Sequence, residues 1–525
     1  MQRVMAVFDR FSFASLIFFI AIFGIWLQAP LLQAGDAAAD DAPRATPGFT
    51  EAVELLAEIP DNVRIIDDLV GADPRSGTVA YVYEADDGFK LCMNQQCGPY
   101  VDRVARDMPV VSPNGNYMAA LVQMDGEAHV MLGGELSRAY DMVYGLRFSP
   151  DSRKVAYIAR KDDRFSVHVN QVQHQAFALV DTRQGLVFSP DASCLAYVAS
   201  RDGQSWHLVH NGEPGEAYEQ IKHVTFSFDS ERLAYAARKG GRWHVVADDT
   251  LSPPYQDILL VRFSPDSERL VYVARDDKGA FVVLDGEKSR VFDYVPGEPV
   301  FSRDGERLAY AVAEEHRRRG IRMRMVLDGS VGPAFKQIGA YRFSPDGRQF
   351  AYMAVTDEDK GLMVHNGEKS DVYASIGVPV FAPKGGDLAY FVFQEDNNQW
   401  HVYRNGEKGP ALDTVENPVF CPEGARMVYI GRIGDRFMVF EDGKIVGNHD
   451  WAAMPTFSPD GNHLAYAAAK DGASFLVVDG QKGKERFLSF LRGSSLVFTD
   501  KNTVKGVAVR DEGRSFWHFR VTMGE

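Results

Sequence analysis

Four Trp-His pairs are the first residues whose type and spacing could support chemistry. They occupy one position of a repeated unit and are Trp206-His207, Trp243-His244, Trp400-His401 and Trp517-His518. A zinc ion needs imidazole nitrogens at about 2.0–2.1 Å, whereas equivalent positions on neighbouring packed sheets lie about 10 Å apart. We therefore expect the pairs to pack inside the fold, and we expect no metal and no cofactor.

Three arginines offer a different chemistry, the binding of an anion. Arg147, Arg262 and Arg342 stand immediately before the aromatic residue of their units, where other units have Val or Thr. This position could line a central channel. Local hydrogen bonds at a rim are the alternative, because several units separate the three in sequence.

A second arginine set lies in the segment EEHRRRGIRMRM at 314–325, which lengthens one unit. Surplus charge on one loop steers association, so this loop could dock an acidic partner or anionic lipid. The alternative is a solvated hairpin compensated by Glu314 and Glu315. The arginines of the loop are Arg317, Arg318, Arg319, Arg322 and Arg324.

Two of the four cysteines are expected to form a disulfide. Cys92 and Cys97 flank Asn94-Gln95, which fits a two-residue turn with the cysteines in a non-hydrogen-bonded pair, where side chains lie closest. An exported compartment permits such a bond. Cys194 and Cys421 stand alone in different units and are expected to be buried thiols.

The sequence offers no catalytic constellation. It contains no Gly-x-Ser-x-Gly nucleophile elbow, and SRDGQSW at 200–206 resembles a sialidase Asp-box but fits an ordinary turn. We therefore name no catalytic residue and expect a protein that is not an enzyme.

The elements that carry these residues repeat twelve times. The phrase aromatic-Ser-Pro-Asp-Gly, two residues, Leu-Ala-Tyr recurs about every 39 residues, a period typical of propeller blades. Clear copies are FSPDSRKVAY (148–157), FSRDGERLAY (301–310) and FSPDGNHLAY (457–466), and degenerate copies stand at 72–81, 111–120 and 498–507.

Each unit predicts four short antiparallel strands, a to d. Ser-Pro-Asp-Gly suits a type I turn between strands a and b. Steps such as Asn366-Gly367 and Asp479-Gly480 are hairpin signals between strands c and d. Such a meander cannot bury both of its faces alone, so the units must close into rings.

We predict an all-β fold of tandem β-propellers with an N-terminal membrane-directed helix. Val63–Ile66 resembles an orphan strand d, and the last unit ends after strand c. A strand d at the beginning and a missing strand d at the end favour two six-bladed rings at 61–288 and 289–525, each completed by its own first strand. A single twelve-bladed ring and a seven-plus-five split are the alternatives.

The N-terminus directs the chain into a membrane. Arg3 and Arg10 precede an uncharged stretch that includes Phe11–Leu27, and the positive flank stays inside. Residues 1–34 are either a cleaved signal peptide or a retained anchor. Residues 35–60 are interpreted as a flexible spacer followed by a short helix at 49–59.

Charge and composition exclude some function classes. The chain has 525 residues with 57 Lys+Arg against 72 Asp+Glu, a formal net charge of −15. An acidic protein is a poor nucleic-acid binder, and a 45% hydrophobic, 25% charged composition is typical of a globular protein rather than a disordered chain.

The repeats resemble the WD-like units of TolB-type periplasmic β-propellers over nearly all of the chain after residue 60. The resemblance implies protein docking in the cell envelope and assigns no catalytic residue. We therefore expect a periplasmic scaffold, secreted or anchored at the extracytoplasmic face of the inner membrane, with envelope or membrane proteins as partners. A carbohydrate- or peptide-binding propeller with hydrolase or lyase activity, and an accessory subunit of a larger membrane complex, are the alternatives.

Overall fold

The computed structural model describes residues 48–66, 69–106, 108–318 and 320–524. The predicted membrane-directed segment 1–34 and the spacer up to residue 47 lie outside the described residues. Within the described part, no helix is long and apolar enough to cross a membrane. Residues 48–524 belong to one compact unit.

The described chain forms twelve antiparallel sheets, each a blade of a propeller. A first strand, β1 (Phe49–Glu58), precedes blade 1. Blades 1 to 3 contain β2 (Arg64–Ile65), β3 (Gly71–Asp73), β4 (Thr78–Ala85), β5 (Gly88–Met93) and β6 (Gln96–Val101); β7 (Arg103–Val104), β8 (Val110–Val111), β9 (Met118–Met124), β10 (Glu127–Leu132) and β11 (Glu135–Leu136); β12 (Met142–Phe148), β13 (Val155–Lys161), β14 (Arg164–Val169) and β15 (Val172–Phe177).

Blades 4 to 6 contain β16 (Leu179–Val180), β17 (Val187–Phe188), β18 (Leu195–Ser200), β19 (Trp206–His210) and β20 (Glu213–Tyr218); β21 (Gln220–Phe226), β22 (Leu233–Lys239), β23 (Arg242–Ala247) and β24 (Thr250–Leu251); β25 (Asp257–Phe263), β26 (Leu270–Asp276), β27 (Gly279–Leu284) and β28 (Glu287–Lys288). Blades 7 to 9 contain β29 (Val300–Phe301), β30 (Leu308–His316), β31 (Gly320–Leu327) and β32 (Ser330–Phe335); β33 (Gln337–Phe343), β34 (Phe350–Val355), β35 (Gly361–His365) and β36 (Glu368–Lys369); β37 (Ser375–Ile376), β38 (Val380–Phe381), β39 (Leu388–Gln394), β40 (Gln399–Arg404) and β41 (Glu407–Lys408).

Blades 10 to 12 contain β42 (Thr414–Val415), β43 (Val419–Phe420), β44 (Met427–Ile433), β45 (Arg436–Glu441) and β46 (Lys444–His449); β47 (Trp451–Phe457), β48 (Leu464–Lys470), β49 (Ala473–Val478) and β50 (Gln481–Lys482); β51 (Ser489–Phe490), β52 (Val497–Asp500), β53 (Thr503–Arg510) and β54 (Ser515–Met523). A 3-10 turn at Asp511–Gly513 joins the last two strands. The prediction of an all-β fold with twelve blades is confirmed for the residues that the structure describes.

The blades form one ring rather than two. A cluster of buried apolar side chains joins each blade to the next, and one of these clusters packs Val271 of blade 6 against Leu308 and Tyr310 of blade 7. Another closes the circle by packing Val507 of blade 12 against Tyr81 of blade 1. The favoured split into rings at 61–288 and 289–525 is therefore wrong, because the 288/289 boundary lies inside a continuous core.

The ring closes with the N-terminal strand. β1 pairs with β54 from Phe49↔Met523 to Glu58↔Ser515 and supplies strand d of blade 12. The predicted short helix at 49–59 is therefore wrong. Val63–Ile66 is not the orphan strand d either, because Arg64 and Ile65 pair with β4 as a first strand of blade 1.

The Leu-Ala-Tyr phrase alternates large and small residues because the two faces of its strand pack against two different blades. Alternate side chains of a strand point to opposite faces of its sheet. In blade 7, Leu308 and Tyr310 pack against blade 6, while Ala309 packs against blade 8. Large residues therefore fill one interface of each blade, and the small residue between them makes room for the large residues of the next blade.

The Ser-Pro-Asp-Gly turns define one face of the ring. In blade 7 the buried Ser302 donates to Asp304 Oδ1 (2.5 Å) and accepts the amide of Arg307 (2.9 Å). Since the strands are antiparallel, the a–b and c–d turns lie at one end of each blade and the b–c turns at the other. We call the end with the a–b and c–d turns the turn face, and the end with the b–c turns the hairpin face.

A set of arginines links the turn faces of neighbouring blades. In blade 7, Arg307 Nε donates to Asp328 of its own c–d turn (2.9 Å), and Nη1 donates to the carbonyls of Gly347 and Arg348 in blade 8 (3.0 and 2.9 Å). The same position makes the same kind of bridge in four blades, and we call these residues the bridging arginines: Arg232, Arg269, Arg307 and Arg426.

Candidate functional site: a charged hairpin and cleft on the hairpin face

The longest departure from the repeat is the b–c hairpin of blade 7. β30 and β31 pair as far as His316↔Gly320, which extends this hairpin beyond those of the other blades. The side chains of Arg317 and Arg318 at its tip are exposed. Arg319, the remaining arginine of the tip, lies outside the described residues.

Arg324 is held in place by the sheet rather than presented at the tip. Its Nη1 donates to the carbonyl of Gly332 in β32 (2.9 Å), and its Nε donates to Glu314 (3.0 Å). Glu314 also pairs with Arg290 at 2.5 Å. Arg324, one of the five predicted docking arginines, is therefore bonded to the sheet and partly exposed.

Histidines make the same bond in other blades. The ring Nδ1 of His207 lies 2.9 Å from the carbonyl of Gly215, eight residues later, where the strand pairing shifts register. His129, His244 and His401 do the same at 2.9, 2.7 and 3.1 Å. Three of the four predicted Trp-His pairs therefore contribute a strand c to strand d bond, and His518 instead bonds the carbonyl of Pro74 (3.0 Å).

Arg322 connects the hairpin to the next blade. Its Nη2 lies 2.9 Å from Asp357 Oδ1 in the b–c turn of blade 8, and its side chain is only 14% exposed. Nη1 donates to the carbonyl of Ile321 (3.0 Å). The guanidinium is therefore fixed at the boundary between blades 7 and 8.

A cleft of about 430 Å³ lies at this boundary. Its walls combine two guanidinium groups, an aromatic ring and two carboxyl groups: Arg322, Arg324, Phe335, Asp357, Glu358, His316, Ala334 and Thr356. The structure thus brings Arg322 and Arg324 together inside a cleft, with Arg317 and Arg318 beyond it at the hairpin tip.

An acidic side chain holds the backbone of this hairpin one pair before its tip. Asp293, which precedes strand a of blade 7, accepts the amide of Glu315 at 2.6 Å. Equivalent acids fasten the b–c turns of four other blades: Asp141, Glu219, Asp413 and Asp450. In these five blades the acid therefore has a structural role, because it accepts a backbone amide of the b–c hairpin.

Replacing Asp293 by Ala is expected to loosen the hairpin without unfolding the ring. A charge-assisted bond of this kind contributes on the order of 1.5–3 kcal/mol, so amide exchange over 314–318 should accelerate at least about tenfold. Hydrogen–deuterium exchange by mass spectrometry measures this. Asp277→Ala, at the exposed tip of the neighbouring b–c turn, is the control, and unchanged exchange in Asp293→Ala would contradict the fastening role.

The three predicted channel arginines do not form one site. Arg262 on β25 pairs with Glu298 of blade 7 at 2.7 Å, and Tyr341 Oη donates to the carbonyl of the same Glu298 (2.6 Å). Arg342 follows Tyr341 and is exposed, as is Arg147 on β12 of blade 3. Glu298 therefore links Arg262 to Tyr341, the chain neighbour of Arg342, rather than to Arg342 itself.

Glu416 is a residue that sequence reasoning missed. It lies between the two first strands of blade 10, and burial raises the pKa of its carboxyl to about 7. The corresponding residues of neighbouring units are small, as in Gly377 and Ala453. A carboxyl group at this position of the repeat could therefore have marked Glu416 in the sequence. No group of three or more His, Cys, Asp or Glu residues placed to hold a metal occurs in the described part of the chain.

His168 is fully buried in blade 3, stacked on Tyr157 with ring centroids 4.9 Å apart. Its Nε2 lies 3.0 Å from Ser166 Oγ. Burial lowers the pKa of its imidazole from 6.5 to about 4. The fold therefore holds this side chain neutral.

Acid is expected to destabilise the ring through His168. Below pH 6.5 the imidazole of His168 binds a proton in the unfolded chain, whereas in the folded chain it stays neutral down to about pH 4. The free energy of unfolding therefore falls as the pH drops through this window and is unaffected above it. The full effect is about 3 kcal/mol. The urea midpoints of unfolding at pH 7 and pH 4.5 should differ less for His168→Phe than for the wild type. His210→Phe, at an exposed position, is the control. An equal pH dependence of the midpoint in His168→Phe and the wild type would contradict this role of His168.

The four cysteines form one disulfide and two free thiols. Cys92 and Cys97 are bonded to each other across the c–d turn of blade 1, with Cα atoms 4.0 Å apart. Cys194 and Cys421 are free thiols; Cys421 is buried and Cys194 is half-buried beside Ser193 and Asn211. The disulfide closes a short hairpin away from the hairpin of blade 7.

Comparison with known proteins adds no family assignment. No protein-family model matches this sequence, and no curated protein matches it. Among solved structures, a eukaryotic initiation factor shares 12% identity over 72% of this chain and 96% of its own, with a TM-score of 0.35. TolB from Acinetobacter baumannii shares 11% identity over 56% of this chain and 80% of its own, with a TM-score of 0.23.

The Dos1 propeller shares 12% identity over 57% of this chain and 91% of its own, with a TM-score of 0.26. Such distant likenesses carry no functional argument. The class of the protein rests on its own twelve sheets and their closed core: it is an all-β, twelve-bladed β-propeller.

Proposed function

We propose that this protein is a non-catalytic docking scaffold of the cell envelope, secreted into the periplasm or anchored at the extracytoplasmic face of the inner membrane. The observation that carries the proposal is the blade 7 hairpin. It presents the exposed Arg317 and Arg318 on a chain with a net charge of −15. Loops on a rigid scaffold are the usual carriers of binding.

The first described residue of the chain and the blade 7 hairpin lie on opposite faces of the ring. Gly48 donates to Gln481 beside the c–d turn of blade 11 (3.0 Å) and accepts the amide of Gly524 (3.0 Å). Gly48 therefore lies at the turn face, and the blade 7 hairpin projects from the other face of the ring. We propose an acidic envelope protein as the partner of the hairpin, because the surplus charge of Arg317 and Arg318 steers association with acidic groups.

Neutralising the hairpin tip tests the proposal. The tagged full chain carrying Arg317→Gln and Arg318→Gln should recover at least about fivefold less partner from native membranes than wild type, because surplus charge steers encounter. Arg303→Gln with Arg348→Gln removes the same charge from exposed positions on the turn face and should recover normal amounts. Equal recovery by the tip variant and wild type would overturn the proposal.

A further inference from the structure

We infer that the cleft between blades 7 and 8 is a binding site for a carboxylate of a partner peptide. The inference rests on the proposed docking function and names the chemistry of the group that the hairpin face takes. The carboxylate is either an Asp or Glu side chain or the C-terminus of a chain. It sits against Arg322 and Arg324, with its methylene groups against Phe335.

Arg324 has more donors than the fold uses. The corresponding histidines of other blades use a single ring nitrogen for this bond, as His207 does with the carbonyl of Gly215. Arg324 makes that bond with Nη1 and pairs with Glu314 through Nε. A guanidinium carries five N–H donors, so the protons of Nη2 are left for a ligand in the cleft.

Arg322 already holds one carboxylate in the cleft. Asp357 pairs with its Nη2 at 2.9 Å, and the side chain of Asp357 is 50% exposed while that of Arg322 is 14% exposed. A guanidinium removed from water binds carboxylates more strongly than a solvated one. The internal pair therefore shows that this position accepts a carboxylate, and it identifies Asp357 as the competitor that a ligand displaces or joins.

The two guanidinium groups are also fixed before any ligand arrives. Each is tied to a backbone carbonyl, of Ile321 for Arg322 and of Gly332 for Arg324. Binding therefore costs little side-chain entropy. The volume of about 430 Å³ suits one or two amino-acid residues, and Arg317 and Arg318 attract further acidic residues from the hairpin tip.

Binding of labelled peptides to the purified full chain, followed by fluorescence polarisation, tests the site. The first probe is a short polyglutamate peptide with acetylated and amidated ends. Filling the cleft with Ala334→Trp should weaken its binding at least about tenfold. Ala217→Trp, at the corresponding exposed position of strand d in blade 4, should leave it unchanged, and equal melting temperatures should show that both variants fold.

A gain of affinity gives a second readout that misfolding cannot imitate. Removing the internal competitor with Asp357→Asn should tighten binding about three- to tenfold. The second probe, a polyglutamine peptide with a free C-terminus, separates the two carboxylate sources. Binding of the first probe assigns a side-chain carboxylate, and binding of the second probe alone assigns a terminal one.

Two results overturn the inference: neither probe binds, or the Ala334→Trp variant binds like wild type. The docking proposal fails separately. If neutralising Arg317 and Arg318 leaves partner recovery unchanged while the cleft binds peptide, the docking function is wrong and the site stands. If recovery falls but filling the cleft has no effect on peptide binding, the site is wrong and the docking function stands.

Discussion

A chain that lacks residues 1–59 is expected to lose its folded ring, whereas a chain that lacks residues 1–46 keeps it. β1 makes nine paired positions with β54, and its Leu56 and Ala57, with Ile59 directly after it, are buried between blades 12 and 1. Its removal exposes that core and the whole edge of β54. We expect a loss on the order of 5 kcal/mol or more from the apolar surface alone.

Thermal unfolding by circular dichroism and size-exclusion chromatography measure this loss. The chain lacking residues 1–46 is the matched control because it retains every strand of the ring. A peptide of residues 48–59 supplied separately should restore the melting temperature by strand addition. Equal melting of the two truncated chains would show that the ring is closed by something other than β1.

Replacing Arg307 by Met is expected to destabilise the ring by about 2 kcal/mol. The change removes three hydrogen bonds, to Asp328 and to the carbonyls of Gly347 and Arg348. It also removes a guanidinium that lies 5.1 Å from the ring centre of Phe343. The carboxylate of Asp328 would then lose its charged partner at the boundary between two blades.

Chemical denaturation gives the value, and Arg303→Met in the same turn is the control. Arg303 is exposed and makes no hydrogen bond with the described residues, so its replacement should change stability by less than about 0.5 kcal/mol. A loss as large for Arg303→Met as for Arg307→Met would show that the turn, rather than the bridge to blade 8, provides the stability.

The sequence predicts the blade well and the ring poorly. The Ser-Pro-Asp-Gly turn, the Leu-Ala-Tyr strand and the Asp-Gly steps are local signals, and most blades contain them in clear or degenerate form. The number of blades in a ring depends on which terminal strand completes the last sheet. Phe49–Glu58 is rich in Ala, Glu and Leu, which favour helix, but pairing with β54 overrides that preference.

The candidate site was predictable only in its position. The extra length and the arginines of 314–325 marked the hairpin, because they departed from the repeat. The roles of the arginines needed the fold. Arg324 takes a bond that histidine makes elsewhere, and Arg322 reaches a blade 8 carboxylate 35 residues away in sequence, which no local pattern encodes.

The direction of β1 has a mechanical consequence. The strand enters at the turn face beside Gln481 and runs along β54 toward the hairpin face. A force that draws Gly48 away from the turn face along the strand axis would load this strand lengthwise. The nine pairs along β54 would then resist in shear and together, instead of separating one after another, so the seam of the ring is built to carry tension.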